Sequence, residues 1–353
     1  MKMKNSIYST DGISLSGNIT ADLNDICRDF PSDKIFVLLD QNTSENCRKR
    51  LELLSTVPEQ NVIIIQDGES NKNLDQVQAV WQFLGEQMAD RKSLLVNVGG
   101  GMLTDLGGFA ASTYKRGIQF INVPTTLLAM VDASVGGKTG VNFRGLKNEV
   151  GLIRQALHVF LYPPFLETLD DENLRSGFAE MLKSALIKDP QLWNDLKAFN
   201  LDARSYGDLA PLLWRSVMIK KEIVDLDPNE NGIRKALNFG HTVGHALESQ
   251  ALHTGRKMMH GYAVAYGMSV EARLSGRFSG LTEEDRDDII AVIRKIYGKL
   301  PEQIQQQKEL IDYMRFDKKN ERNQINFTLL NKIGSCEVNN FISEEDISKT
   351  LAV

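Results

Sequence analysis

The sequence predicts an α/β chain in two parts, an N-terminal domain built on a parallel sheet and an all-helical C-terminal domain. Three observations carry this. Up to about residue 165, short apolar runs alternate with helical patterns, the signature of a parallel sheet covered by helices. Past Pro163 and Pro164 strand signals nearly vanish and helical spacing dominates. In the first part, a buried-strand pattern at Ser93–Val98 runs through three glycines into an Ala/Leu/Phe-rich helical segment. A strand, a glycine turn and a helix N-terminus make a cradle for an anionic ligand beyond a strand end.

Taken in order, Lys34–Leu39 (KIFVLL) and Val62–Ile65 (VIII) are apolar and β-branched enough to be buried strands. Between them Thr43–Leu54 reads as helical. Leu74–Met88 places Leu74, Val77, Val80, Trp81 and Leu84 at helical spacing. Ser93–Val98 and Phe120–Val123 supply two further strands. The boundary is placed near residue 165, giving domains 1–165 and 166–353. The second holds helical patterns at Asp171–Lys188, Gln191–Ala198, Tyr206–Asp225, Thr242–Leu252, Tyr262–Phe278 and Glu283–Gly298. Ile325–Leu330 and Ile333–Val338 read as a small hairpin.

Composition narrows the class. The chain has 353 residues, 42% hydrophobic, with a net charge of -5, an ordinary globular balance without the basic excess of a nucleic-acid binder. No apolar run approaches the ~18 residues of a membrane span, and MKMKNSIYSTDG lacks the apolar core of a secretory leader. Cys27, Cys47 and Cys336 form no CxxC, so reduced thiols in the cytoplasm are expected.

The chemistry concentrates between Gly99 and Asn148. The triplet lacks the GxGxxG spacing, so alone it is also a plain strand-to-helix turn. Gly136, Gly137 and Lys138 are not a P-loop, because Asp132 stands where the first glycine of that motif belongs. Further on, His241 and His245 are four apart and share a helix face. No Glu follows the first His, which excludes HExxH, and a helical His pair is more often structural than ligating. Glu180 and Lys183 are three apart, as in a solvated helix ion pair or in a site. A two-His, one-carboxylate set with an open position suits catalytic zinc. His158 and His253 read as ordinary residues.

The motifs PTTLLAMVDASVGGKTGVN, RSGFAEMLK from Arg175, LNFGHTVGHA from Leu237, His260-Gly261 and Asp317–Lys319 occur in collinear order. Together they resemble the 3-dehydroquinate synthases, members of the sugar-phosphate cyclases. The resemblance implies a Rossmann-like first domain binding NAD and a helical second domain binding metal and substrate. It implies Glu180, His241 and His260 as ligands of Zn2+ (or Co2+). Asp40, Glu69, Lys72, Gly100, Gly101, Met102, Asp105, Thr125, Thr126, Leu128, Asp132, Lys138, Lys147, Phe165 and Thr168 are the implied NAD contacts. The implied substrate is an acidic sugar phosphate, 3-deoxy-D-arabino-heptulosonate 7-phosphate. Lys220 and Arg234 would hold its carboxylate, with Lys138, Asn148, His245 and Lys318 around its phosphate. Lys147, Lys183 and Asn238 complete the catalytic set, and Arg116 would enter from the partner in a homodimer. No nucleic-acid or membrane partner is implied.

Four places depart from the family pattern: Thr104, Phe143–Leu146, Ala156 and Tyr162. Thr104 touches the cofactor turn and the others lie peripherally. The rival readings are a sister cyclase whose substrate lacks the carboxylate and a metal-dependent polyol dehydrogenase, which would release NADH.

Overall fold

The computed structural model describes residues 6–51, 56–144, 146–301, 304, 307–315 and 324–351. Lys318 lies outside the described residues. The chain packs as two compact units, Met1–Asp170 with Tyr206–Trp214, and Asp171–Ser205 with Arg215–Val353.

The first unit is organised by a seven-stranded sheet. Its strands are β1 (Ser6–Thr10), β2 (Ile13–Ser16), β3 (Ile35–Asp40), β4 (Val62–Ile65), β5 (Leu94–Gly99), β6 (Gln119–Pro124) and β9 (His158–Leu161), in the order β1-β2-β9-β6-β5-β3-β4. All neighbours are parallel except β1 and β2. β3 and β5 are buried at all six positions, which is why their sequences read as unbroken Val/Ile/Leu runs rather than alternating ones. The helices α1 (Ile19–Cys27), α2 (Gln41–Asn46), α3 (Leu74–Glu86) and α4 (Gly101–Thr113) connect them. Val77, Val80 and Leu84 of α3 pack with Leu103, Leu106 and Ala110 of α4 in one apolar core. The chain passes from β3 outward to β4, then back past β3 to β5. That reversal is the switch point at which open α/β sheets bind ligands beyond their strand ends. Asp40 and Gly99 close the two strands that border it.

One local expectation changes, and one segment without an expectation forms a hairpin. Of the helix expected over Thr43–Leu54, Thr43–Asn46 is helical within α2 and Arg48–Arg50 forms a 3-10 turn, Asn46 having weak helix propensity; residues 52–54 lie outside the described residues. The glycine-rich segment after Gly137 is a β-hairpin, β7 (Lys138–Phe143) with β8 (Leu146–Ile153). Gly140 faces Gly151 there, and a Cβ on Gly151 would fall 2.2 Å from the Thr139 carbonyl oxygen. The two facing glycines therefore let the strands approach.

His158 sits buried on β9, its Nε2 2.8 Å from Ser14 Oγ on β2. Burial pushes its pKa down to about 4. The folded state thus keeps the ring neutral where the unfolded chain, near 6.5, takes up a proton. The resulting stability is present above pH 6.5 and lost as pH falls from 6.5 through 4, by up to about 3 kcal/mol. Urea melts across that window should show this slope in the parent and a flatter one in H158N; equal slopes would exclude His158 as its source.

Among its described residues the second unit is helical apart from one hairpin. Its helices are α5 (Asp171–Lys188), α6 (Pro190–Ala198), α7 (Tyr206–Leu226, entering from the first unit), α8 (His241–His253), α9 (His260–Phe278), α10 (Glu283–Tyr297), α11 (Gln307–Arg315) and α12 (Glu344–Leu351). The hairpin pairs β10 (Ile325–Lys332) with β11 (Ser335–Ile342). α5 and α9 are buried along most of their length, so neither shows a clean polar face. Among the described residues no helix is long and apolar enough to cross a membrane. Burial pushes the Cys27 thiol up to about 12, and Cys47 and Cys336 up to about 11, so all three are protonated, unreactive thiols.

Candidate active site

In the second unit, α5, α8 and α9 bring Glu180, His241 and His260 together, with one ligand atom from each within 4.8 Å of the others. Glu180 Oε1 lies 3.6 Å from His241 Nε2 and 3.5 Å from His260 Nε2. It has no hydrogen-bond partner among the described residues, although Glu180 is only 2% exposed. Ligand atoms about 2.0–2.2 Å from a tetrahedral zinc stand about 3.3–3.6 Å from one another. The observed separations fit that spacing, and a cation among the three would satisfy the orphaned oxygen. The other carboxylate oxygen, Oε2, pairs with Lys183. Both partners are buried, so this is not the solvated helix pair that spacing alone allows.

The surrounding charges set the protonation of the group. Burial would raise the Glu180 carboxyl, but Lys183 and His260 outweigh it and hold it at about 2. Burial opposes a charge on His260, yet the Glu248 and Glu180 carboxylates push its pKa up to about 10. A metal held on Nε2 would take the place of that proton. His260 Nδ1 lies 3.1 Å from Glu248 Oε2, and His241 Nδ1 lies 3.2 Å from the Phe239 carbonyl oxygen. Each ring is thus oriented through Nδ1 with Nε2 turned toward Glu180, the arrangement of metal-ligating histidines. His245, Glu248 and His260 form a second grouping, but its carboxylate meets His260 at Nδ1, the orienting side. His245 is half-buried on the same helix as His241.

Sequence reasoning missed Glu248. It lies seven residues after His241 and three after His245, so helical spacing put all three on one face and could have found it. It also missed Glu230, whose Oε1 accepts a 2.9 Å hydrogen bond from Asn238 Nδ2. Ser176 carried no signal: its Oγ accepts from Gly261 N at 3.0 Å and seats the start of α9.

Two more cations of the second unit are buried, Lys220 and Arg234. Arg234 stands on the 3-10 turn Ile233–Asn238. Its Nη1 donates to the Pro228 carbonyl at 2.6 Å and its backbone N–H to Asp227 Oδ2 at 3.0 Å. It is therefore no solvated helix residue.

The first unit gathers the implied cofactor residues at the strand ends. Gly100 caps α4 with an extended backbone. A Cβ on Gly100 would stand 3.2 Å from Thr126 Cγ2, and one on Gly101 3.0 Å from Ala133 Cβ. Thr125 N donates to the Gly99 carbonyl at 2.9 Å, locking the end of β6 to the glycine turn. Met102 is half-buried at the start of α4. Leu128 immediately precedes the π-helical turn Ala129–Ala133, which contains Asp132. Thr104 Oγ1 donates to Gly101 O at 3.2 Å and Thr104 is buried, so this departure from the family pattern is absorbed within the helix.

Other implied contacts have structural partners. Asp40 Oδ1 caps α2 by accepting from Thr43 N at 2.7 Å, and burial raises its pKa. Glu69 Oε1 accepts from Asn142 Nδ2 at 2.9 Å. Lys72 is buried and its Nζ reaches Asp105 Oδ2 and Asn148 Oδ1, each at 2.5 Å. Burial raises the Asp105 carboxyl despite Lys72. Lys138 and Lys147 are exposed on β7 and β8. Phe165 is a core residue with Tyr162 edge-on at 5.1 Å, and Thr168 Oγ1 donates to its carbonyl. Arg116 is exposed at φ +70 in the turn Tyr114–Arg116.

Comparison with known proteins gives one consistent result. Residues 62–176 match the 3-dehydroquinate synthase N-terminal family model, and residues 177–320 match the C-terminal one. The chain is 42% identical to a 3-dehydroquinate synthase of Parabacteroides distasonis over 97% of both chains. Among solved structures it resembles 2-epi-5-epi-valiolone synthase of Streptomyces hygroscopicus with NAD+ and Zn2+ bound, with a TM-score of 0.86 and 26% identity over 98% of this chain and 96% of that one. It also resembles 2-deoxy-scyllo-inosose synthase complexed with carbaglucose-6-phosphate, NAD+ and Co2+, with a TM-score of 0.79 and 25% identity over 93% of each.

Proposed function

Since the chain belongs to the 3-dehydroquinate synthase family, we infer that it converts 3-deoxy-D-arabino-heptulosonate 7-phosphate to 3-dehydroquinate and inorganic phosphate, in the cytoplasm, with NAD and zinc. The observation that carries this reading is the group of buried Glu180 and His241 with half-buried His260, and Lys183 on the second carboxylate oxygen. When bound, the metal acidifies the hydroxyl to be oxidised and NAD accepts a hydride and later returns it. No net redox change results, and phosphate is the leaving group.

The chain's own residues supply position and charge. Lys183, held on Glu180, is a cation beside the metal ligands, where negative charge develops on the substrate oxygen. His245 presents a half-buried imidazole from the helix that carries His241. Lys220 and Arg234 are the pair suited to a carboxylate, since a guanidinium fork binds one bidentately. The deciding assay is phosphate release from the heptulosonate phosphate with NAD below stoichiometry. Many turnovers per NAD are expected; release of NADH instead would identify a polyol dehydrogenase.

Arg234 separates the synthase from its sister cyclases. Loss of a charge-assisted hydrogen bond of about 1.5–3 kcal/mol lowers kcat/KM roughly ten- to over a hundredfold in R234Q. Sedoheptulose 7-phosphate, which lacks the carboxylate, should not be turned over by the parent. Efficient cyclisation of that sugar would reassign the chain to a sister activity.

The assembly proposed is a homodimer with Arg116 serving the partner's phosphate site, motivated by its exposure beside the family motif. Mixing R116A with the inactive variant K183A should restore activity through hybrid dimers. Sedimentation of a fully active monomer would refute it.

A further inference from the structure

α8 begins at a residue with no side chain of its own to cap it. Its N-cap is Gly240 at φ +80, a left-handed backbone that strains other residues. A Cβ there would also stand 2.5 Å from Met268 Cγ and 2.8 Å from the Val264 carbonyl oxygen. The first amides of the helix must therefore find an acceptor elsewhere. Glu271, on α9 and 0% exposed, provides it. Its Oε2 accepts from Gly240 N at 2.6 Å and its Oε1 from Val243 N at 3.3 Å. These two amides flank His241. A carboxylate is favoured here by charge-assisted bonds and by the helix dipole. The anchor is itself braced: Ser275 Oγ donates to Glu271 O at 2.6 Å and accepts from Leu330 N of β10 at 2.9 Å.

Glu271 lies eleven residues, about three turns, along the helix that His260 opens. One rigid element thus presents one histidine at its start and grips the backbone around the other. A buried carboxylate is costly unless its partners repay the lost hydration. The usual cap, a Ser or Asp at the N-cap itself, is forbidden here by the close approach to Met268 and Val264, so the acceptor comes from the helix that carries His260. We propose that Glu271 is a positioning residue for the metal centre: by clamping the first turn of α8 onto α9 it fixes His241 relative to His260, and so sets metal affinity. This rests on the reading that Glu180, His241 and His260 hold the metal.

E271Q keeps the shape of the side chain, removes its charge and turns an NH2 group toward one of the two amides. The zinc dissociation constant, read by competition with a chromophoric chelator, should rise roughly ten- to a hundredfold. The visible bands of the Co2+-substituted protein should shift as well. L274A removes buried bulk one turn further along the same helix; it should lower thermal stability and leave both metal readouts unchanged. E271D keeps the charge with a shorter reach, should bind zinc more tightly than E271Q, and serves in the same assays if the Gln variant does not fold. E271Q with parental zinc affinity and cobalt bands would overturn the proposal while leaving the centre intact, and so would E271D with both where the Gln variant does not fold. So would L274A weakening zinc as much as E271Q does. A parent chain without stoichiometric metal would overturn the centre and the proposal with it.

Discussion

Replacing His241 or His260 by alanine is expected to yield a folded protein that no longer retains stoichiometric zinc and no longer turns over. Three ligands act together, so deleting one leaves a two-ligand site that exchanges its metal readily. Without the metal the hydroxyl to be oxidised keeps an ordinary pKa. Losing about 4 kcal/mol of transition-state stabilisation lowers kcat roughly a thousandfold. The fold should survive, because Glu180 keeps Lys183 on its second oxygen and α8 keeps its buried contacts through Val243, Ala246 and Leu247. His245 provides the control. Were the ion held by His245, Glu248 and His260, H245A would lose metal and H241A would keep it. The distances to Glu180 Oε1 give the opposite order: H245A retains zinc. Metal analysis of the dialysed variants decides, and full occupancy in H241A would overturn the assignment.

Much of this arrangement was legible in the sequence, for reasons that differ by element. β3 and β5 are buried on both faces, so their Val, Leu and Ile runs had no polar residue to mask them. α5 and α9 were found by extent rather than amphipathicity, since each is buried nearly all round. β1 and β2, with sequences SIYST and ISLS, carried too much serine to be seen as strands. β8 is exposed over Leu146–Glu149 and gave no buried face to read. In the site, residue types with few bland roles stood out, as His241 and His260 did. Glu248 and Glu271 did not, because a helical Glu is ordinarily solvated and only tertiary packing makes these two buried acceptors. Ser176 is an extreme case, its role being set wholly by the approach of Gly261.

That approach yields the other large effect, in G261A. A Cβ at position 261 would lie 1.9 Å from the Ser176 carbonyl oxygen and 2.5 Å from its C and Cα. All three obstacles are backbone atoms in the interior of α5, so no rotamer change relieves the clash, and the start of α9 must move away by an ångström or more. The move breaks the 3.0 Å bond from Gly261 N to Ser176 Oγ and carries His260, the adjacent residue, off the Glu180 carboxylate one turn beyond Ser176. Overpacking of this kind costs about 1–3 kcal/mol or more, and a 1 Å misplacement at a reacting centre costs roughly a hundredfold in rate. G261A should therefore melt several degrees below the parent in metal-free buffer, bind zinc at least about tenfold more weakly, and lose most of its activity. G207A is the matched comparison: Gly207 opens α7 with nothing within 4 Å of the added Cβ, so alanine there is neutral or stabilising by about 0.4–1 kcal/mol. Melting curves and zinc titrations of the two variants side by side test the contrast. Parental melting and zinc affinity in G261A would show that α9 can sit elsewhere against α5 without disturbing the ligands.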